Sequence, residues 1–216
     1  MRIRINKAHF PVTVLGPGKR IGIWLQGCSI RCPGCISQDT WDSNISSECE
    51  IDDILEWCRR ITMNKLDGVT ISGGETFDQP EALRLFLKGL LNWRSQFNLD
   101  FDILTYSGYG MNHLVKSHLA MLEMIDAVIP EPYQALKGTD LIWRGSSNQT
   151  IVPLTDKGRQ RYNNRAQERV VNRQLQLVTD EANVWLVGIP RKGDCEKLAI
   201  KCTSMGLDLG KCSWKT

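Results

Sequence analysis

Apolar strands alternate with amphipathic helices through the middle of this 216-residue chain. Residues 51–61, 80–93 and 113–125 carry apolar side chains at helical spacing, and proline opens the second of these segments. A short apolar segment follows each helix, namely GVTIS, FDILTY and DAVIP. Strands joined through single helices pair in parallel by right-handed crossovers, so the sequence predicts an α/β sheet or barrel.

The two ends of the chain depart from this alternation. RIRIN and RIGIWLQG predict two strands around the turn LGPGK, whose glycines and proline break regular structure. After residue 140, RQLQLV and NVWLVG predict a hairpin around TDEAN, and DCEKLAIKCTSMG predicts a closing helix. No repeat, linker or low-complexity segment is evident, so the sequence predicts one domain over residues 1–216 with a distinct last third.

Composition excludes some classes of function. The net charge of +3, from 27 basic and 24 acidic residues, is too small an excess to indicate a nucleic-acid partner. No apolar run approaches the roughly 20 residues of a membrane span, and the first residues contain no signal-peptide stretch. We therefore expect a cytoplasmic protein, in which the eight cysteines are ligands or buried apolar residues rather than disulfides.

A basic run lies in the last third of the chain. Between Asp156 and Arg173 the sequence has lysine or arginine at 157, 159, 161, 165, 169 and 173, against acidic residues at 156 and 168 alone. Either a docking surface for an acidic partner or a solvated helix face would produce this pattern.

The segment CSIRCPGC places Cys28, Cys32 and Cys35 within eight residues. Clustered thiolates bind soft metals, so zinc and iron–sulfur clusters are the two candidates. A structural zinc ion needs four ligands, and here the fourth would have to be one of the three histidines or a distant cysteine. A 4Fe-4S cluster held by three cysteines instead leaves its fourth iron with a free coordination position, as in an open catalytic metal site.

Cys195, Cys202 and Cys212 form a looser second group. The gaps between them are six and nine residues, unlike a compact ligand loop. We therefore predict no second cluster from them, and we expect Cys49 and Cys58 to be packing residues.

The cysteine loop follows a predicted strand, and ISGGETFDQPEAL follows the next one; together they resemble the radical S-adenosylmethionine enzymes. The resemblance implies a 4Fe-4S cluster on the three cysteines, with its free iron chelated by the amino and carboxylate groups of S-adenosylmethionine. It also implies that Gly73, Gly74 and Glu75 contact the methionine amino group. Glycines allow close backbone approach to a ligand, and a carboxylate suits an ammonium.

Two further strand ends are candidate cosubstrate contacts. TYSGY lies where α/β folds bind ligands, and the family touches the ribose there, which implies Thr105 and Ser107. The alternative is that both are turn residues. GIPRKGD follows a late strand, whose end contacts adenine in related enzymes; alternatively it is a loop leading into the last helix, capped near Asp194.

The resemblance is strongest to the glycyl-radical activating enzymes, especially the activating subunits of anaerobic ribonucleotide reductase. GCSIRCPGCISQDTWD and WRGSSNQTIV carry it, and it covers about residues 12–152, which leaves about 153–216 as an extension. Two positions depart from that branch. Thr76 stands where proline is common, and residues 130–132 read Pro-Glu-Pro where an Asp-Gly-Pro-like sequence is typical.

The resemblance implies an incomplete TIM-type barrel and an oxidoreductase that reductively cleaves S-adenosylmethionine. The resulting 5′-deoxyadenosyl radical would abstract hydrogen, in the leading hypothesis from a glycine of a partner glycyl-radical enzyme, with electrons from a flavodoxin-like donor. The alternative is radical modification of a peptide, small metabolite or nucleoside. A metal-binding interaction module without turnover is a third hypothesis, against which the Gly-Gly-Glu turn argues, because a module needs no amino-acid site.

Overall fold

The computed structural model describes residues 1–43, 47–179, 184–210 and 212. No helix among these residues is both long and apolar enough to cross a membrane. The described residues form nine strands and five α-helices: β1 (Arg2–Val12), β2 (Arg20–Leu25), β3 (Glu48–Glu50), α1 (Ile51–Thr62), β4 (Gly68–Gly73), α2 (Pro80–Gln96), β5 (Asp102–Tyr106), α3 (Met111–Leu122), β6 (Ala127–Ile129), β7 (Val152–Pro153), α4 (Asp156–Tyr162), β8 (Gln176–Thr179), β9 (Val184–Val187) and α5 (Asp194–Ser204).

Seven strands form one sheet in the order β3-β1-β2-β4-β5-β6-β7. Its centre, β2-β4-β5-β6, is parallel, and the strands at its two ends pair antiparallel. The predicted α/β class is therefore confirmed. The predicted late hairpin is also confirmed as β8-β9, although residues 180–183 of its turn lie outside the described part of the chain.

One face of the sheet packs against α1, α2 and α3. Successive side chains of a strand point to opposite faces, and Ile21, Ile23, Val69, Ile71 and Ile103 all point to the helix side, where they are fully buried. The helices contribute residues at spacings of three and four, and those of α2 are Leu83, Phe86, Leu87 and Leu90. Burying each such side chain contributes about 1.5–3 kcal/mol, so this layer is the main core.

The last third of the chain covers the opposite face of the sheet. Leu104 and Ile129 pack there with Tyr162 of α4, which is fully buried. Further along the same face, Trp24 packs with Val187 of β9. Residues beyond 152, together with Trp143 and Ile151, therefore help to bury the sheet face that the three helices leave free.

A charged network lies inside this second layer. Arg20 is fully buried, and its guanidinium donates to both carboxylate oxygens of Asp102 at 2.9 and 2.8 Å and to Thr70 Oγ1 at 2.7 Å. Its two remaining N–H groups reach backbone carbonyls at 3.2 and 2.9 Å. The Tyr162 hydroxyl also donates to Asp102, so α4 is hydrogen-bonded to the centre of the sheet.

Because Asp102 neutralises a guanidinium that has no access to water, we expect Asp102→Asn to lower the free energy of unfolding by about 3–5 kcal/mol. The matched control is Glu81→Gln, which removes the same charge from an exposed pair with Arg84 on α2 and should cost no more than about 1 kcal/mol. Equilibrium urea denaturation measures both values. Equal losses of unfolding free energy in the two variants would show that the buried ion pair stabilises the fold no more than the exposed pair does.

Candidate active site at the carboxyl ends of the parallel strands

The cysteine loop begins where the ends of β2 and β4 contact each other. The Gly74 N–H donates to the Leu25 carbonyl at 2.8 Å, and the Glu75 N–H donates to the Gly27 carbonyl at 2.9 Å. A Cβ on Gly74 would lie 1.9 Å from the Gly27 oxygen, and one on Gly73 would lie 2.4 Å from the Leu25 nitrogen. Both glycines are therefore required by this backbone contact, which holds the Gly-Gly-Glu turn beside the cysteine loop.

Within the loop all three cysteines are half-buried. The N–H of Arg31 points at Cys28 Sγ at 3.5 Å, and the N–H of Ser37 points at Cys35 Sγ at 3.4 Å. Positive φ angles of 49° at Arg31 and 76° at Gly34 turn the backbone between the cysteines. Backbone N–H groups directed at sulfur are a feature of cluster sites, where they tune the redox potential.

Burial raises the pKa of the three thiols, and that of Cys35 reaches about 11. At Cys32 the backbone N–H of Tyr133 opposes this effect. At neutral pH the metal-free loop therefore holds neutral thiols, and iron must displace their protons on binding.

The placement of these ligands bears on the choice between zinc and a cluster. Among the described residues, no three His, Cys, Asp or Glu side chains gather around one metal-ion position. In a 4Fe-4S cluster each thiolate binds its own iron, so the ligands are spread around a larger group, and a loop of three thiols fits that requirement.

The cysteine loop forms one wall of a cavity of about 410 Å³, a volume typical of small-molecule sites. Seven of the residues predicted for the site line it: Cys28, Cys32, Cys35, Gly73, Gly74, Glu75 and Ser107. The fold thus brings the two sequence motifs and the end of β5 to one cavity.

Thr105 is placed differently. It is fully buried, it does not line the cavity, and its hydroxyl has no hydrogen-bond partner among the described residues. Its neighbours Leu104 and Tyr106 point away from the helices, so alternation along β5 turns Thr105 toward the helix layer. This placement gives no support to Thr105 as a ribose contact, whereas Ser107, beyond the strand end, reaches the cavity.

Glu75 joins the end of β4 to the end of β5. Its carboxylate accepts hydrogen bonds from Ser107 Oγ at 2.7 Å, the Gly108 N–H at 2.7 Å and the Phe77 N–H at 3.1 Å. Burial nevertheless raises its pKa to about 7, because only 1% of the residue is exposed. A cation entering the cavity would favour the ionised carboxylate, so the geometry is compatible with an ammonium ligand.

Asp78, which was not predicted as a site residue from the sequence, anchors the cysteine loop. Its carboxylate accepts from the Ser29 N–H at 2.7 Å, from Ser29 Oγ at 2.9 Å and from the Tyr109 hydroxyl at 2.9 Å. Because Ser29 follows the first cysteine directly, these bonds fix the start of the loop. The signal was present as a second carboxylate three residues after Glu75 in GETFDQ.

The extension also reaches the cavity. Its lining includes Gly188–Gly193, Cys195 and Glu196, but neither Cys202 nor Cys212. The GIPRKGD segment does lead into the last helix, since α5 begins at Asp194, whose carboxylate accepts from the Arg191 N–H at 2.9 Å. The same loop therefore precedes a helix and forms a wall of the site.

A loop of three cysteines beside a cavity of this size fits an iron–sulfur enzyme that binds a small molecule next to its cluster, and comparisons with known proteins agree. The sequence model of the 4Fe-4S single cluster domain family matches residues 14–152. The chain is 30% identical over 151 residues to the anaerobic ribonucleoside-triphosphate reductase-activating protein of Escherichia coli K12, covering 68% of this chain and 96% of that protein. The protein of that name from Haemophilus influenzae is 32% identical over 149 residues, covering 66% and 94%. The one from bacteriophage T4 is 28% identical over 143 residues, covering 66% and 89%.

The chain belongs to the radical S-adenosylmethionine family, in its branch of activating enzymes. Its cofactors are a 4Fe-4S cluster and S-adenosylmethionine. The match already covers 96% and 94% of the E. coli and H. influenzae proteins, so too little of either protein remains to correspond to the extension.

We expect Cys32→Ala to lose the cluster, because it removes one of the three thiolates that we predict as ligands. Cys49→Ala is the control, since Cys49 is a half-buried thiol in β3, outside the loop. After anaerobic reconstitution with iron and sulfide, iron content and visible absorbance should fall in the first variant and stay at the wild-type level in the second. A Cys32→Ala protein that keeps its full absorbance would refute the ligand assignment.

The raised pKa of Glu75 predicts that the stability of the metal-free protein depends on pH. Its folded pKa of about 7 lies above the ordinary value of 4.5, so folding favours the protonated acid. The resulting stabilisation is complete below about pH 4.5 and is lost as the pH rises through 7. Between those limits the unfolding free energy of the wild type, relative to Glu75→Gln, should fall by up to about 3 kcal/mol. A difference that does not change with pH would contradict this assignment.

Proposed function

We propose that this chain activates an anaerobic ribonucleoside-triphosphate reductase by generating a radical on a glycine of that partner. The proposal rests on one observation: the three-cysteine loop, Glu75 and Ser107 line a single cavity. The anaerobic ribonucleoside-triphosphate reductase-activating proteins support the choice of partner, because they match this chain over 89–96% of their own length.

The chemistry divides between the cofactors and the chain. When bound, the reduced cluster supplies one electron that cleaves S-adenosylmethionine to methionine and a 5′-deoxyadenosyl radical, which takes a hydrogen atom from the substrate. The three cysteines would bind the cluster as thiolates, with the N–H groups of Arg31 and Ser37 at two of the sulfurs. Glu75 would accept hydrogen bonds from the methionine ammonium, while Ser107 and Gly108 hold its carboxylate in place.

Reactive intermediates require a site that excludes water. Trp24 and Tyr106 line the cavity from the sheet, and Ile189 and Pro190 line it from the extension. These mainly apolar groups would shield the substrate carbon from solvent during hydrogen transfer.

The sheet is, in our proposal, the incomplete barrel of the family. Its parallel strands follow each other in chain order from β2 to β6, and their connecting helices pack on one face, which suits winding in a single direction. We also propose that residues 1–216 are one domain, since Tyr162 and Val187 bury their side chains against the sheet. A cytoplasmic location, where thiols stay reduced, and a flavodoxin-like electron donor complete the proposal.

A second candidate is radical modification of a peptide, small metabolite or nucleoside. It is favoured by residues 130–132, which depart from the activating-subunit pattern, and by the extension loop Gly188–Gly193. Glu131 and the extension loop line the cavity beside the cysteine loop. Since the substrate must reach this cavity, differences in its walls bear directly on which substrate fits.

The decisive assay uses anaerobically reconstituted, dithionite-reduced protein with S-adenosylmethionine and the reductase from the same organism. We expect 5′-deoxyadenosine together with a glycyl-radical signal in the electron paramagnetic resonance spectrum of the reductase. The Cys32→Ala protein, which lacks one predicted ligand, should yield neither. 5′-Deoxyadenosine without a glycyl radical would favour the second candidate, and zinc-containing protein without cleavage would establish an interaction module instead.

A further inference from the structure

Glu131 has an unusual backbone conformation at the edge of the cavity. It follows the end of β6 with a φ of 82°, in the region that favours glycine. Its N–H donates to the Tyr109 carbonyl at 3.0 Å, and its own carbonyl accepts from Gln149 Nε2 at 3.0 Å. The surrounding chain therefore fixes a charged residue where glycine would be less strained, and such strain is concentrated at functional sites.

The side chain of Glu131 lines the cavity and is half-buried. The lack of a side chain at Gly110 leaves room for the Glu131 carboxylate, since a Cβ on Gly110 would lie 2.8 Å from Glu131 Oε1. Within the described part of the chain its carboxylate oxygens accept no hydrogen bond and pair with no cation. Glu75, the carboxylate assigned to the cosubstrate ammonium, already has three donors within the chain, whereas the Glu131 carboxylate can direct both oxygens at a second ligand.

Tyr133, two residues further on, lines the same cavity. Its ring lies beside two glycines, such that a Cβ on Gly145 would be 2.9 Å and one on Gly34 3.8 Å from ring carbons. Between the two side chains, the Pro132 carbonyl accepts from Asn148 Nδ2 at 2.9 Å, which holds the segment in place. A carboxylate and an aromatic ring facing one cavity are the two groups that proteins use to bind organic cations.

We propose that Glu131 is a substrate-recognition residue whose carboxylate, together with the ring of Tyr133, binds an ammonium or guanidinium group that the substrate carries near its reacting carbon. The inference rests on the proposed function, in which Glu75 is the carboxylate for the cosubstrate ammonium. Glu131 is then left for the molecule that loses the hydrogen atom.

The competing explanation is structural. Gly110 is the N-terminal cap of α3, so the Glu131 carboxylate lies near the positive end of a helix of twelve residues. A carboxylate there stabilises the helix without binding anything. In that case neutralising Glu131 would lower the thermal midpoint and leave ligand binding unchanged.

The test is titration calorimetry on reconstituted protein with S-adenosylmethionine bound. The probes are n-propylguanidinium and its uncharged isostere n-propylurea. Wild-type protein should prefer the cation by about tenfold or more, as expected for a charge-assisted hydrogen bond. Glu131→Gln and Glu131→Gly should both bring the ratio close to one. Glu123→Gln, at an exposed carboxylate following α3, should keep the wild-type ratio.

A wild-type protein without preference for the cation would overturn the proposal, as would an unchanged ratio in Glu131→Gln. A lowered thermal midpoint in Glu131→Gln with the ratio retained would assign the carboxylate to α3. Cleavage of S-adenosylmethionine by the wild type is measured separately. Its failure would overturn the proposed function, whereas the cation preference is decided by the titrations alone.

Discussion

The site depends on the close approach of two backbone segments, Leu25–Gly27 and Gly73–Glu75. Neighbouring parallel strands end at the same edge of a sheet, but this contact is closer than any side chain at Gly74 would permit. This contact places the start of the cysteine loop beside Glu75, whose carboxylate links the end of β4 to the end of β5. We expected the two glycines to allow a ligand to approach the backbone. In the structure they allow the end of β2 to approach it, and the cavity lies beside that contact.

The extension contributes to both the core and the site. The guanidinium of Arg173 donates to the carbonyls of Ile189, Thr139 and Arg144 at 3.0, 2.6 and 2.9 Å, which fixes the cavity loop of the extension to the main body of the chain. Other cations of the same basic run also have internal partners, since Lys157 and Arg161 both pair with Asp100. These three cations therefore help to attach the last third to the sheet.

The helices and strands are well predicted from the sequence, because the spacing of apolar residues within each short segment is enough to indicate them. The apolar spacing of 51–61 and 80–93 predicts α1 and α2 directly, and the cysteine spacing with Gly73–Glu75 predicts which residues meet in the cavity. Thr105 shows the limit of this approach: a strand end can be located from its pattern, but the face to which each residue points depends on the register of the whole sheet. For GIPRKGD the sequence left two roles open, a cosubstrate contact or a loop into the last helix, because its position at the cavity depends on the hairpin packing against Trp24.

In our proposal, three thiolates at this edge of the sheet bind three irons of the cluster, which leaves the fourth iron without a protein ligand, and the cosubstrate completes its coordination. Electron–nuclear double resonance of the reduced, reconstituted protein tests this most directly, with S-adenosylmethionine isotopically labelled at its amino nitrogen. The account predicts magnetic coupling between that nitrogen and the cluster. A spectrum with no such coupling, and with cluster signals unchanged by adding S-adenosylmethionine, would contradict it.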